Sequence, residues 1–113
     1  MLQILHNPRC RKSRETLQLI QETGVDVEVI EYLKDVPSQA ELKGIIQKLN
    51  ISPTELLRKG EAIFKEQFKG KTLTDDEWIE VMVNNPKLIE RPIVIKGDNA
   101  VIGRPPENVK SLL

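Results

Sequence analysis

Leu2, Ile4 and Leu5 form a short apolar run that reads as a buried strand, and His6-Asn7-Pro8-Arg9 reads as a turn. From Arg11 the spacing changes: Leu17, Leu19 and Ile20 carry a helix inward until Gly24, a residue suited to ending one. Val27, Val29 and Ile30 return to the strand pattern, which ends near Tyr32. Strand, helix and strand in this order predict a βαβ unit with parallel strands.

The middle of the chain is helical and is punctuated by three capping boxes. Ser38-Gln39-Ala40-Glu41 opens a helix whose Leu42, Ile45, Ile46 and Leu49 follow the i, i+3, i+4, i+7 stripe. Ser52-Pro53-Thr54-Glu55 opens a short one with proline at its favoured first position. Thr74-Asp75-Asp76-Glu77 opens a third that buries Trp78, Ile79, Met82 and Val83, with Trp78 read as core. Glu61 to Phe68 is read as helical too.

Strands return at the end. Ile93-Val94-Ile95 and Ala100-Val101-Ile102 flank the turn Gly97-Asp98-Asn99 as a hairpin. Pro105 and Pro106 precede a terminal helix that includes Val109 and Leu112. The pattern therefore predicts an α/β fold: a four-stranded mixed sheet with helices on both faces. A helical insertion at about 38–84 separates the βαβ half from the ββα half. At 113 residues, one domain spanning 1–113 with a single core is expected.

Charge and cysteine usage narrow the partners. With 17 basic and 17 acidic residues, no overall field favours nucleic acid or a membrane surface. One cysteine excludes an internal disulfide framework and points to a reducing compartment. No stretch is apolar enough to span a bilayer and the N-terminus lacks a signal-peptide pattern, so a cytoplasmic location is expected.

That cysteine, Cys10, falls where the first strand hands over to a helix N-terminus. Unpaired backbone N–H groups and the positive end of the helix dipole stabilise an anion there, either a thiolate or an oxyanion beside it. Arg9, Arg11, Lys12 and Arg14 add four cations at a helix end that ordinarily prefers acids. This setting is expected to depress the thiol pKa. A phosphatase loop needs arginine six positions after the cysteine, and that position is Thr16. A metal centre needs three or four ligands, whereas Cys10 and His6 supply two. A dithiol site needs Cys-x-x-Cys, and Cys10-Arg11-Lys12-Ser13 ends in serine. What remains is a single nucleophilic thiol that borrows its second thiol from another molecule.

His6-Asn7-Pro8-Arg9-Cys10 followed by Ser13-Arg14-Glu15-Thr16-Leu17 resembles the start of the glutaredoxin-coupled arsenate reductases. Leu56-Leu57-Arg58-Lys59, Arg91-Pro92-Ile93-Val94 and Gly103-Arg104-Pro105 are similar to that family's later motifs, in the same order. The resemblance covers essentially the whole chain and implies a thioredoxin-like fold. It further implies Cys10 as the nucleophile and Arg58, Arg91 and Arg104 as the arginines that bind the oxyanion. His6 and Ser13 would help keep the thiol ionised, with Arg14 beside them. Pro92 would be the cis-proline next to the active cysteine. The implied reaction is reduction of arsenate to arsenite through a Cys10–arsenic adduct, resolved by glutathione and glutaredoxin. Glutathione is then a co-substrate, and no bound metal, nucleotide or flavin is implied. Two alternatives share the same residues: a monothiol, glutathione-dependent oxidoreductase, and a non-enzymatic regulator of the same superfamily. Ser13 in place of a second cysteine and the intact arginine set argue against the regulator.

Overall fold

The computed structural model describes residues 2–113, which divide into two compact units: 2–35 with Arg91–Leu113, and Val36–Glu90. Among the described residues no helix is long and apolar enough to cross a membrane.

The first unit holds β1 (Leu2–Leu5), α1 (Arg11–Glu22), β2 (Val27–Ile30), β3 (Ile93–Lys96), β4 (Asn99–Ile102) and a 3₁₀ helix over Pro106–Leu112. The strands lie in the order β2-β1-β3-β4. β1 runs parallel to β2 and antiparallel to β3, and β3 and β4 form the expected hairpin. Its loop needs a residue with positive φ, and Gly97 supplies it at 60°. This is the four-stranded mixed sheet of a thioredoxin-like fold.

Alternation along the strands puts Leu2, Ile4 and Val94 on one face, where Ile20 of α1 and Val109 and Leu112 of the 3₁₀ helix close a core. Each such side chain contributes roughly 1.5–3 kcal/mol by leaving water. β2 is an edge strand, so Val29 stays exposed although its type suits a strand. The terminal helix is tighter than an α-helix. Its buried residues Pro106, Val109 and Leu112 recur every third position, the repeat of a 3₁₀ helix, and Pro106 opens the helix instead of preceding it.

The register sets up the site. Leu5 of β1 pairs with Ile93 of β3, and Ile93 pairs with Ile102 of β4. Three chain segments therefore leave the sheet at one end: the turn leading to Cys10, Arg91-Pro92, and Gly103-Arg104. The Arg91–Pro92 peptide is cis, and so is Arg104–Pro105.

The second unit contains α2 (Gln39–Leu49), α3 (Pro53–Leu56), α4 (Ala62–Gln67), α5 (Asp75–Asn84) and a 3₁₀ turn at Pro86–Leu88. Ser38 and Thr74 complete reciprocal capping boxes with Glu41 and Glu77. At Ser52 the Glu55 carboxylate accepts from the Ser52 N–H at 2.8 Å, while the Glu55 N–H donates to the Ser52 carbonyl at 3.0 Å. α2 and α3 pack on α5. Trp78 is core, as expected, with its ring centroid 6.2 Å from those of both Phe64 and Phe68.

Candidate active site

Cys10 is the residue that opens α1. Its φ of −93° and ψ of 122° are extended, and its carbonyl accepts the first helical hydrogen bond, from the Arg14 N–H at 3.0 Å. The turn before it is held by its own polar groups. Asn7 Oδ1 accepts from the Arg9 N–H at 3.0 Å, and the Asn7 carbonyl accepts from the Cys10 N–H at 2.9 Å. The thiol is nearly covered, with 7% of Cys10 exposed.

Two arginines distant in sequence reach the sulfur. Arg104 Nη2 donates to Cys10 Sγ at 3.4 Å, while Arg104 Nε donates to the Arg91 carbonyl at 2.8 Å. Burial pushes the Cys10 thiol up. The Ser13 backbone N–H and the Arg91 side chain acting on the sulfur, together with the charges of Arg91 and Arg104, outweigh burial and hold it below the ordinary value. Here the structure corrects the sequence reasoning: Arg9, Arg11, Lys12 and Arg14 are exposed and are not among the groups that lower the thiol. Arg11 pairs with Glu15 at 3.0 Å, and Arg14 donates to the Pro8 carbonyl at 3.0 Å. Charge counted along the chain differs from charge at the sulfur, because a helix turns neighbouring side chains outward.

Ser13 lies one turn into α1 and is fully buried. Its hydroxyl sits 2.7 Å from His6 Nδ1 and accepts from the Asn7 N–H at 3.0 Å. Burial lowers the His6 pKa; Glu31 opposes the shift and Arg14 adds to it. The contact of the His6 ring with the Ser13 hydroxyl ties the end of the β1 turn to the start of α1. The structure thus gathers Cys10, Ser13, His6, Arg91, Pro92 and Arg104 in one unit.

Arg58 belongs to the other unit and is described there. The Leu57–Ile89 bridge, with the Arg58 N–H donating to the Leu88 carbonyl at 2.7 Å, brings Arg58 beside Glu90. Arg58 Nη1 and Glu90 Oε1 are 2.6 Å apart, and Nη2 is 3.9 Å from Glu61 Oε2. Nothing in residue type or spacing announced that pairing.

The sequence reasoning missed two buried polar residues, Asn7 and Thr16. Thr16 had a signal: Ser13, Thr16, Leu17 and Ile20 share one helical face, and two of them carry hydroxyls.

A direct expectation follows for the ionisation of Cys10. Thiolate absorbance near 240 nm, blanked against Cys10→Ser, should titrate with a midpoint below the free-cysteine value of about 8.5; a midpoint at or above it would contradict the geometry. The folded chain then binds fewer protons than the unfolded chain between the two pKa values. Stability from this group is therefore present above the unfolded pKa and is lost as pH falls through the folded one. Wild type should accordingly gain on Cys10→Ser, in urea melts, as pH rises across that window.

A thioredoxin-like sheet whose sole thiol opens a helix between two arginines defines a single-cysteine thiol site. The ArsC family pattern matches residues 5–112, and the chain belongs to that family. It is 45% identical to the Escherichia coli protein YfgD, an uncharacterised protein, over 99% of this chain and 96% of that one. It is 38% identical to an arsenate reductase of Neisseria meningitidis, over 99% and 97% of the two chains. The solved structure of an arsenate reductase from Vibrio cholerae is 44% identical, covers 99% of this chain and 97% of its own, and superposes with a TM-score of 0.95.

Proposed function

We propose that this chain is an arsenate reductase that draws its electrons from glutathione and glutaredoxin. The observation that carries the reading is the Cys10 sulfur, hydrogen-bonded by Arg91 and Arg104 at a helix start in a chain of the ArsC family. Its named relatives from Neisseria meningitidis and Vibrio cholerae support the substrate.

The Cys10 thiolate attacks arsenic(V) and displaces one oxygen, which takes up protons and leaves as water. A sulfur–arsenic bond has formed and no electrons have yet moved. Arg91 and Arg104 offset the negative charge on the oxygens as the bond forms. The family resemblance gives Arg58 the same role as a third arginine; within its own unit it is paired with Glu90. Glutathione next bonds to the arsenic by displacing a second oxygen, which takes up protons and leaves as water, still without a change of oxidation state. The glutaredoxin thiol takes the glutathione sulfur as a mixed disulfide, and the electron pair of the broken sulfur–arsenic bond stays on arsenic, now arsenic(III); one water then displaces Cys10, which returns as thiolate while arsenite leaves. Each turnover converts one arsenate and two thiols to one arsenite, one disulfide and one water.

A single cysteine cannot close an internal disulfide, so the second thiol must be external. Arsenite formation should therefore require glutathione and glutaredoxin together, measured in a reconstituted assay from which each is omitted in turn. Full turnover with thioredoxin alone would contradict the mechanism. Reduction of glutathionylated proteins through Cys10, without arsenate reduction, would instead favour the monothiol oxidoreductase. Absence of both reactions with an ionised Cys10 would favour the regulator.

A further inference from the structure

Thr16 sits six residues beyond Cys10 on α1 and is fully buried. Its single hydroxyl proton has two acceptors, the Lys12 carbonyl at 2.8 Å and the Gly103 carbonyl at 3.3 Å. The second joins α1 to the residue immediately before Arg104. Gly103 is pressed against Thr16 from the other side: a Cβ there would lie 2.6 Å from Thr16 Oγ1, 3.0 Å from its methyl carbon and 2.8 Å from Pro92 Cγ. Only glycine lets the three residues meet. The Gly103 N–H donates to the Pro92 carbonyl at 2.9 Å, which fixes the same backbone to the segment carrying Arg91.

We infer that Thr16 is a positioning residue: it clamps the Gly103-Arg104 turn to the helix that Cys10 opens, and so sets the Arg104 guanidinium against the sulfur. The path has few links. Thr16 holds Gly103, the next residue is Arg104, and Arg104 Nη2 lies 3.4 Å from Cys10 Sγ. With the hydroxyl gone, the Gly103 carbonyl loses this bond, and the Arg104 main chain is free to draw away from α1. A guanidinium a few ångströms farther from the thiolate stabilises it less. The other groups acting on the sulfur, namely Arg91 and the Ser13 N–H, remain as they are, as does the His6 contact with Ser13.

This deepens the reading of Cys10 as the reacting thiol, but its test needs no arsenate. The Cys10 thiolate midpoint is measured for Thr16→Val, Thr16→Ala and Thr16→Ser, each in the wild-type and Arg104→Gln backgrounds. Valine keeps the shape and drops the hydroxyl. Alanine drops both, cannot overpack, and decides the matter if the valine variant does not fold. Serine restores the hydroxyl. Valine and alanine should raise the midpoint by roughly half a unit or more, within the range one nearby charge commands. Serine should stay near wild type. In the Arg104→Gln background Thr16→Ala should change nothing further, because the group it positions is gone. An unchanged midpoint in folded Thr16→Ala, or an equal rise without Arg104, would overturn the assignment. A midpoint that moves as expected in a protein that fails to reduce arsenate indicts the substrate and leaves Thr16 in its role.

Discussion

Serine in place of Cys10 is expected to abolish arsenate reduction, lowering the rate by about 10⁴-fold or more, as removal of a nucleophile does elsewhere. The two side chains differ by one atom, so the loss reports chemistry. A serine hydroxyl stays protonated where the thiol ionises, and oxygen cannot take part in thiol exchange. The fold should not suffer. Cys10 is the N-cap residue of α1, and serine is among the better residues at that position. Melting in urea near neutral pH should thus be close to wild type while arsenite production vanishes. Residual arsenite above a few per cent of wild type would mean that another group does the work.

The second large effect belongs to the arginines. Lysine at position 91 or 104 should lower the arsenate reduction rate by about 10²–10³, the cost of one well-placed donor to a developing oxyanion. The reason is geometric. Arg104 uses Nε for the Arg91 carbonyl and Nη2 for the Cys10 sulfur, and a lysine ammonium offers one nitrogen where the planar fork offers two. Arg91 donates to the same sulfur. Both replacements should also raise the thiolate midpoint, so the loss divides into a part recovered at higher pH and a part that is not. Stability should change little, by about 1 kcal/mol or less, because both side chains are only partly buried. Lysine at 58 is expected to cost the same order in rate, though it also breaks the bond to Glu90. If all three variants turned over like wild type, the oxyanion would bind elsewhere.

Some of this was legible before any coordinates. β-branched runs and capping boxes announce their elements through local physics, which is why the hairpin and the starts of α2 and α5 fall where expected. Long-range pairing is different. Arg104 and Cys10 are 94 residues apart, and by type alone Arg91 and Arg104 read as surface residues; the family motifs singled them out, and the strand register explains the meeting. The local cations misled for the converse reason, since adjacency in sequence on a helix places side chains on different faces. Thr16 stood out in the sequence as the residue that excludes a phosphatase loop and as one position of a family motif, with no role of its own. Its contact with Gly103 lies 87 residues away along the chain, and no local pattern links the two. The pairing of Arg58 with Glu90 likewise follows from the bridge between Leu57 and Ile89.

The most direct test of the central claim is to look for arsenic on the protein. Purified chain is incubated with arsenate and glutathione, without glutaredoxin, and its intact mass and arsenic content are measured after rapid desalting at low pH. The account predicts up to one arsenic per chain, localised to Cys10 and missing from Cys10→Ser, and predicts that added glutaredoxin discharges it as arsenite. Arsenite produced at full rate by a protein that never carries arsenic, or an arsenic load unchanged in Cys10→Ser, would contradict it.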